Sequence, residues 1–138
     1  MTSSRSGGEK LKTSKAVLDA YLLQEPGAEQ VATLTIEGGA AMSAVNVAEV
    51  VGVLVLRGAT VAAAKRPLAD LRLDVHEFSE SQAYVAASLT GIRTPSRRRL
   101  SLGDRACIAL AAEMHVPAIT ADREWAALPL PAEVVLIR

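Results

Sequence analysis

The stretch Ala41-Met42-Ser43-Ala44-Val45-Asn46-Val47-Ala48-Glu49-Val50-Val51-Gly52-Val53-Leu54-Val55-Leu56-Arg57-Gly58 decides the fold class. Its first five residues are small and apolar and predict a short buried strand. Asn46 has the side chain of a helix cap, and the helix it opens runs to Arg57, with Gly58 just past its end. That helix is apolar on nearly every face, so it is expected to be buried. A strand feeding directly into a buried helix is the repeating unit of a parallel α/β sheet.

The same alternation continues on both sides. Thr60 to Leu71 predicts a helix that contains Pro67, and Leu73, Val75 and Phe78 mark a strand. Ser79-Glu80-Ser81-Gln82 opens a helix through Leu89, and Ser101-Leu102-Gly103-Asp104 opens another to about Met114. Between them, Thr90 to Leu100 reads as a loop. Strands follow at Val116 to Thr120 and Val134 to Ile137, with a helical turn from Asp122 to Ala127. Upstream, Ala16 to Leu18 reads as a strand, and Ala28 to Ile36 as a helix ended by Gly38-Gly39. Residues 1–15 are rich in Ser, Gly and Lys and predict a flexible tail. The expectation is a three-layer α/β domain over residues 16–138 with a mainly parallel sheet.

Composition narrows the function. The 138 residues are 50% hydrophobic and 22% charged, which excludes a disordered chain. Fifteen basic and fifteen acidic residues cancel, so nucleic acid has to be gripped by a local patch. One cysteine, Cys107, excludes a disulfide framework and a cysteine zinc site. The longest apolar run is interrupted by Asn46 and Glu49 and falls short of the roughly 20 residues of a membrane span. No run at the N-terminus makes a signal peptide, and a cytoplasmic location is expected.

Ligands of open parallel sheets gather at the carboxyl ends of the strands. Asp19 follows Ala16-Val17-Leu18, and Asp122 follows Ala118-Ile119-Thr120-Ala121. Each also suits a helix cap. Glu49 lies one turn into the apolar helix, where a buried carboxylate needs a partner, a proton or a metal. Asp104 stands in the first turn of its helix, where the helix dipole favours it. Taken together, Asp19, Glu49, Asp104 and Asp122 fall at positions that a parallel sheet brings to one edge. Four close carboxylates repel, and a hard divalent cation such as Mg²⁺ or Mn²⁺ relieves the repulsion. Such a site suits phosphodiester hydrolysis.

At these residues the chain resembles PIN domains, in the order found in VapC-type toxins of bacterial toxin–antitoxin systems. The stretches are Val17-Leu18-Asp19-Ala20, Ser43 to Val50, Leu100 to Ala111, and Thr120-Ala121-Asp122-Arg123-Glu124-Trp125. The resemblance implies a Mg²⁺- or Mn²⁺-dependent endoribonuclease acting on tRNA or other structured RNA. It also implies inhibition by a cognate VapB-type antitoxin, and a homodimer. Its acidic positions carry over onto Asp19, Glu49, Asp104 and Asp122, which would be both catalytic and metal ligands, with Asn46 and Thr120 in support. The segment from Ala20 to Pro26 is shorter than in the family, which predicts reduced activity. Arg97, Arg98 and Arg99, with Arg93, form a basic patch that suits RNA phosphates or a solvated loop. Trp125 suits the core better than base stacking. Two other readings share the acidic cluster: a degenerate PIN domain that binds antitoxin or RNA without cutting, and a metal-dependent phosphatase or DNA nuclease.

Overall fold

The computed structural model describes residues 11–13 and 40–137. Among the described residues, five parallel strands form one sheet in the order β3-β2-β1-β4-β5. They are β1 (Leu11–Thr13), β2 (Ala40–Ser43), β3 (Asp74–His76), β4 (Ala118–Thr120) and β5 (Val134–Leu136). The helices are α1 (Ala44–Leu56), α2 (Val61–Asp70), α3 (Glu80–Ser88) and α4 (Leu102–Met114), with a short 3₁₀ turn at Arg123–Ala127. The chain steps one way from β2 to β3 through α1 and α2, then back past β1 to β4 through α3 and α4. Parallel crossovers are as a rule right-handed, so crossovers in opposite directions put the two helix pairs on opposite faces, in keeping with two separate core clusters and with the α/β layering expected from the sequence.

Four helix starts follow from side-chain caps. Ser43 accepts from the Val45 amide at 3.2 Å, Thr60 from Ala63 at 3.0 Å and Ser79 from Gln82 at 3.2 Å. At α4 the capping box is complete: Ser101 Oγ accepts from the Asp104 amide, and Asp104 Oδ2 accepts from the Ser101 amide. The cap of α1 is therefore Ser43 and not Asn46, because the helix begins three residues earlier than Asn46 predicts. This places Asn46 inside the helix, where it is fully buried.

Two hydrophobic clusters hold the layers. Met42, Val50, Leu71, Ile119 and Ile137 form one, beneath α1. Leu89, Leu100, Cys107, Ile108, Ala111, Ala118 and Trp125 form the other, around α4. Trp125 is thus a core residue, as its lone occurrence predicts, and is closed to base stacking. α1 departs from expectation. Only Asn46 and Val50 in it are buried, and Leu56 is 90% exposed.

At the N-terminus, β1 occupies Leu11–Thr13, inside the stretch whose composition predicts a flexible tail, and pairs with both β2 and β4. The strand expected at Ala16 to Leu18, the helix at Ala28 to Ile36 and the short segment after Asp19 lie outside the described residues. No described helix is long and apolar enough to cross a membrane.

Candidate active site at the carboxyl edge of the sheet

Three elements bring acidic side chains to this edge. β4 ends at Thr120, which is fully buried, and its Oγ1 accepts from the Asp122 amide at 3.0 Å. Asp122 Oδ1 caps the 3₁₀ turn by accepting from the Glu124 amide at 3.0 Å. Helix α4 leads back into β4, so its N-terminus, with Asp104, stands at the same edge. α1 leaves β2 there, bringing Asn46 and Glu49.

A single guanidinium links the carboxylates of the first two elements. Arg98 Nη2 donates to Asp122 Oδ2 at 2.5 Å, while Arg98 Nη1 lies 3.8 Å from Asp104 Oδ2. Glu124 Oε2 is 3.6 Å from the same guanidinium. The hydrogen bond to Asp122 leads the influences that raise the pKa of Arg98. Burial pushes the Asp104 carboxyl above its ordinary value, against the opposing pull of the Ser101 bonds and Arg98, and the nearby Asp122 adds to the rise. Glu124 is held below its ordinary value, chiefly by the Ser96 amide and then the Ser96 hydroxyl.

Glu49 is placed differently. Its carboxylate lies directly against Gly103, where a built Cβ would come within 2.0 Å of Oε1. Asn46 Nδ2 donates to the Gly103 carbonyl at 3.0 Å and to Glu49 Oε1 at 3.4 Å. Asn46 thereby ties the first turn of α1 to the first turn of α4. Its Oδ1 is buried and lacks a hydrogen-bond partner among the described residues.

Of the expected site residues, the structure brings Asp104 and Asp122 to one cation, with Thr120 beneath Asp122. It seats Glu49 and Asn46 beside Gly103, next to Asp104. Asp19 lies outside the described residues. The arginine run divides: Arg98 turns into the acidic cluster, while Arg97 and Arg99 are exposed and make no ion pair among the described residues. Glu124 joins Arg98 and Ser96 without having been singled out. Its place two residues after Asp122, in a short turn, is the signal that would have found it.

The donor set is oxygen-only, as a hard divalent cation prefers. Among the described residues no group of three or more His, Cys, Asp and Glu side chains is arranged to hold a metal. Asp104 and Asp122 bring carboxylate oxygens, the donors such an ion takes, to one guanidinium.

The family model described as "PIN domain" matches residues 14–130, and the chain belongs to the PIN-domain family. PIN domains are generally nucleases and typically depend on a divalent metal. Among solved structures, the chain is similar to VapBC-5 of Mycobacterium tuberculosis, a member of the VapBC family of toxin–antitoxin systems. Identity is 28%, 96% of this chain and 99% of that chain are covered, and the TM-score is 0.56. A toxin–antitoxin complex from Klebsiella pneumoniae gives 19% identity, 91% and 99% coverage, and a TM-score of 0.65. VapBC2 of Rickettsia felis, bound to a DNA fragment from its promoter, gives 14% identity, 91% and 97% coverage, and a TM-score of 0.67. No curated protein matches the chain.

Proposed function

We propose that this PIN domain is the toxin of a VapBC-type toxin–antitoxin system and acts as a metal-dependent endoribonuclease. The observation that carries the reading is the meeting of Asp104 and Asp122 at one positive charge on the carboxyl edge, with Glu49 seated beside Gly103. The VapBC and toxin–antitoxin proteins among its structural neighbours support the partner.

Asp104, Asp122, Asp19 and Glu49 would hold Mg²⁺ or Mn²⁺. The ion would supply an acidified water and stabilise charge on a phosphate oxygen. The chain's own residues do the rest. Asn46 orients the Glu49 carboxylate, and Thr120 fixes the backbone of Asp122. Arg97, Arg99 and Arg93 offer exposed positive charge beside the acidic edge, suited to RNA phosphates. The acidic centre suits a basic side chain from a VapB-type antitoxin, and a homodimer is the proposed assembly.

Cleavage of structured RNA, duplex DNA and a small phosphate ester, each with and without Mn²⁺, tests the reading. RNA cleavage that needs Mn²⁺ and is lost in Asp104→Asn is expected. Cleavage of only DNA or the ester would assign the site to a different nuclease or a phosphatase. Binding of RNA with no cutting would mark a degenerate domain. Co-expression with a small antitoxin gene encoded beside it is expected to give a copurifying complex and relief of growth arrest.

A further inference from the structure

The loop that carries Arg98 is built as a support. Thr94 is buried, and its amide donates to the Arg98 carbonyl at 2.9 Å while its Oγ1 accepts from the Arg98 amide at 3.0 Å. The Arg97 amide donates to the Thr94 carbonyl at 2.7 Å, and Arg97 takes a left-handed φ of 69° to close the turn. Arg93 and Arg99 bridge across its base, and Arg93 also donates to the Arg97 carbonyl at 3.2 Å. The Ser96 amide and hydroxyl then donate to the two oxygens of Glu124, at 2.7 and 2.9 Å. The loop is therefore fastened to the turn that carries Asp122, and its backbone delivers Arg98 to the acidic pair.

We infer that Arg98 is a resident counter-ion that competes with the divalent cation for Asp104 and Asp122, and that Ser96 and Glu124 are positioning residues for it. The inference rests on the reading of these carboxylates as metal ligands. The guanidinium holds the Asp122 oxygen and lies against the Asp104 oxygen that the ion would take. An ion entering between them has to displace Arg98 from Asp122. Three acidic side chains against one arginine leave the cluster net negative, so it still attracts a second cation. Arg98 thereby raises the metal concentration at which the site fills.

The test measures Mn²⁺ affinity from the free-ion electron paramagnetic resonance signal, with no substrate present. Arg98→Gln is expected to bind Mn²⁺ roughly three- to tenfold more tightly than wild type, the range for a network of half-exposed pairs. Ser96→Ala, which loosens the loop, should shift affinity the same way by less. Arg98→Lys should stay near wild type, and Arg97→Gln should match it. If wild type binds Mn²⁺ and folded Arg98→Gln binds equally or more weakly, the counter-ion role is overturned while the metal site stands. If neither binds Mn²⁺, the metal reading itself fails, and the counter-ion role falls with it.

Discussion

Helices α1 and α4 are both thirteen residues long, and both start at the candidate active edge. α1 has six valines and two leucines, yet buries only Asn46 and Val50. α4 has four alanines and a glycine among its thirteen residues and buries seven residues, from Gly103 to Ala111. Small side chains let α4 approach the sheet and α3 closely, so it is enclosed on several sides. The bulkier α1 stands over β2 and β3 and leaves an apolar groove of about 510 Å³ against α2, lined by residues such as Val47, Val51, Val61, Leu68 and Val75. Apolar composition therefore does not decide which helix is interior. Packing distance and neighbours do.

The sharpest way to break this contrast is to cut a side chain from the enclosed helix. Ile108→Ala in α4 should cost about 2–5 kcal/mol in urea unfolding, since the buried site cannot collapse freely. A loss under about 1 kcal/mol would show that α4 is loosely packed. Next comes the polar exception in α1. Asn46→Ala should cost about 1–3 kcal/mol, because the Gly103 carbonyl loses its buried partner. The same variant should weaken RNA cleavage through a displaced Glu49.

Gly103→Ala sharpens the comparison where the helices meet. The new methyl has to push the Glu49 carboxylate aside, while alanine favours the helix by about 1 kcal/mol, so stability should change little. Cleavage should fall clearly. A double-mutant cycle with Glu49→Ala should give a coupling of about 1 kcal/mol. Additive effects would mean that the two residues do not press on each other.

A smaller effect concerns pH. Because burial raises the Asp104 pKa, the folded state binds its proton more tightly than the unfolded chain does. Stability from this group is then present at acid pH and declines as pH rises from its ordinary value of 3.8 through the raised one. Asp104→Asn keeps an oxygen for the Ser101 cap and should melt higher than wild type at neutral pH, with the gap closing in acid. Glu124 has the opposite sign: the stability it gives is present above its ordinary value of 4.5 and is lost as pH falls through its lowered pKa. The smallest effect is expected at Leu56. Leu56→Ser should stay within about 0.5 kcal/mol of wild type, as suits a side chain already in water.

Much of this was legible in the residues. Ser79 and Ser101 mark their helices because a cap is a local device, and the strands at β2, β4 and β5 follow from short apolar runs. Asp104 and Asp122 reach one edge because parallel topology leaves little choice. The cap of α1 was misplaced since Ser43 and Asn46 are both good caps, and only tertiary contact with Gly103 separates them. The burial of α1 was overread, because periodicity reports how apolar a helix is and not what lies beside it. The Arg98 pairing was hidden because it depends on the fold of the Thr94–Leu100 loop.

The sheet's margins bear on how the chain meets copies of itself. β3 and β5, its outer strands, are three residues each. The outermost strand β3 sets one apolar residue, Val75, between Asp74 and His76, whose side chains are 2.9 Å apart. An incoming strand would gain few ladder bonds on either margin and would meet charge on one of them. Fibril-like, edge-to-edge growth is thereby discouraged at both ends, and self-association is steered toward helix surfaces.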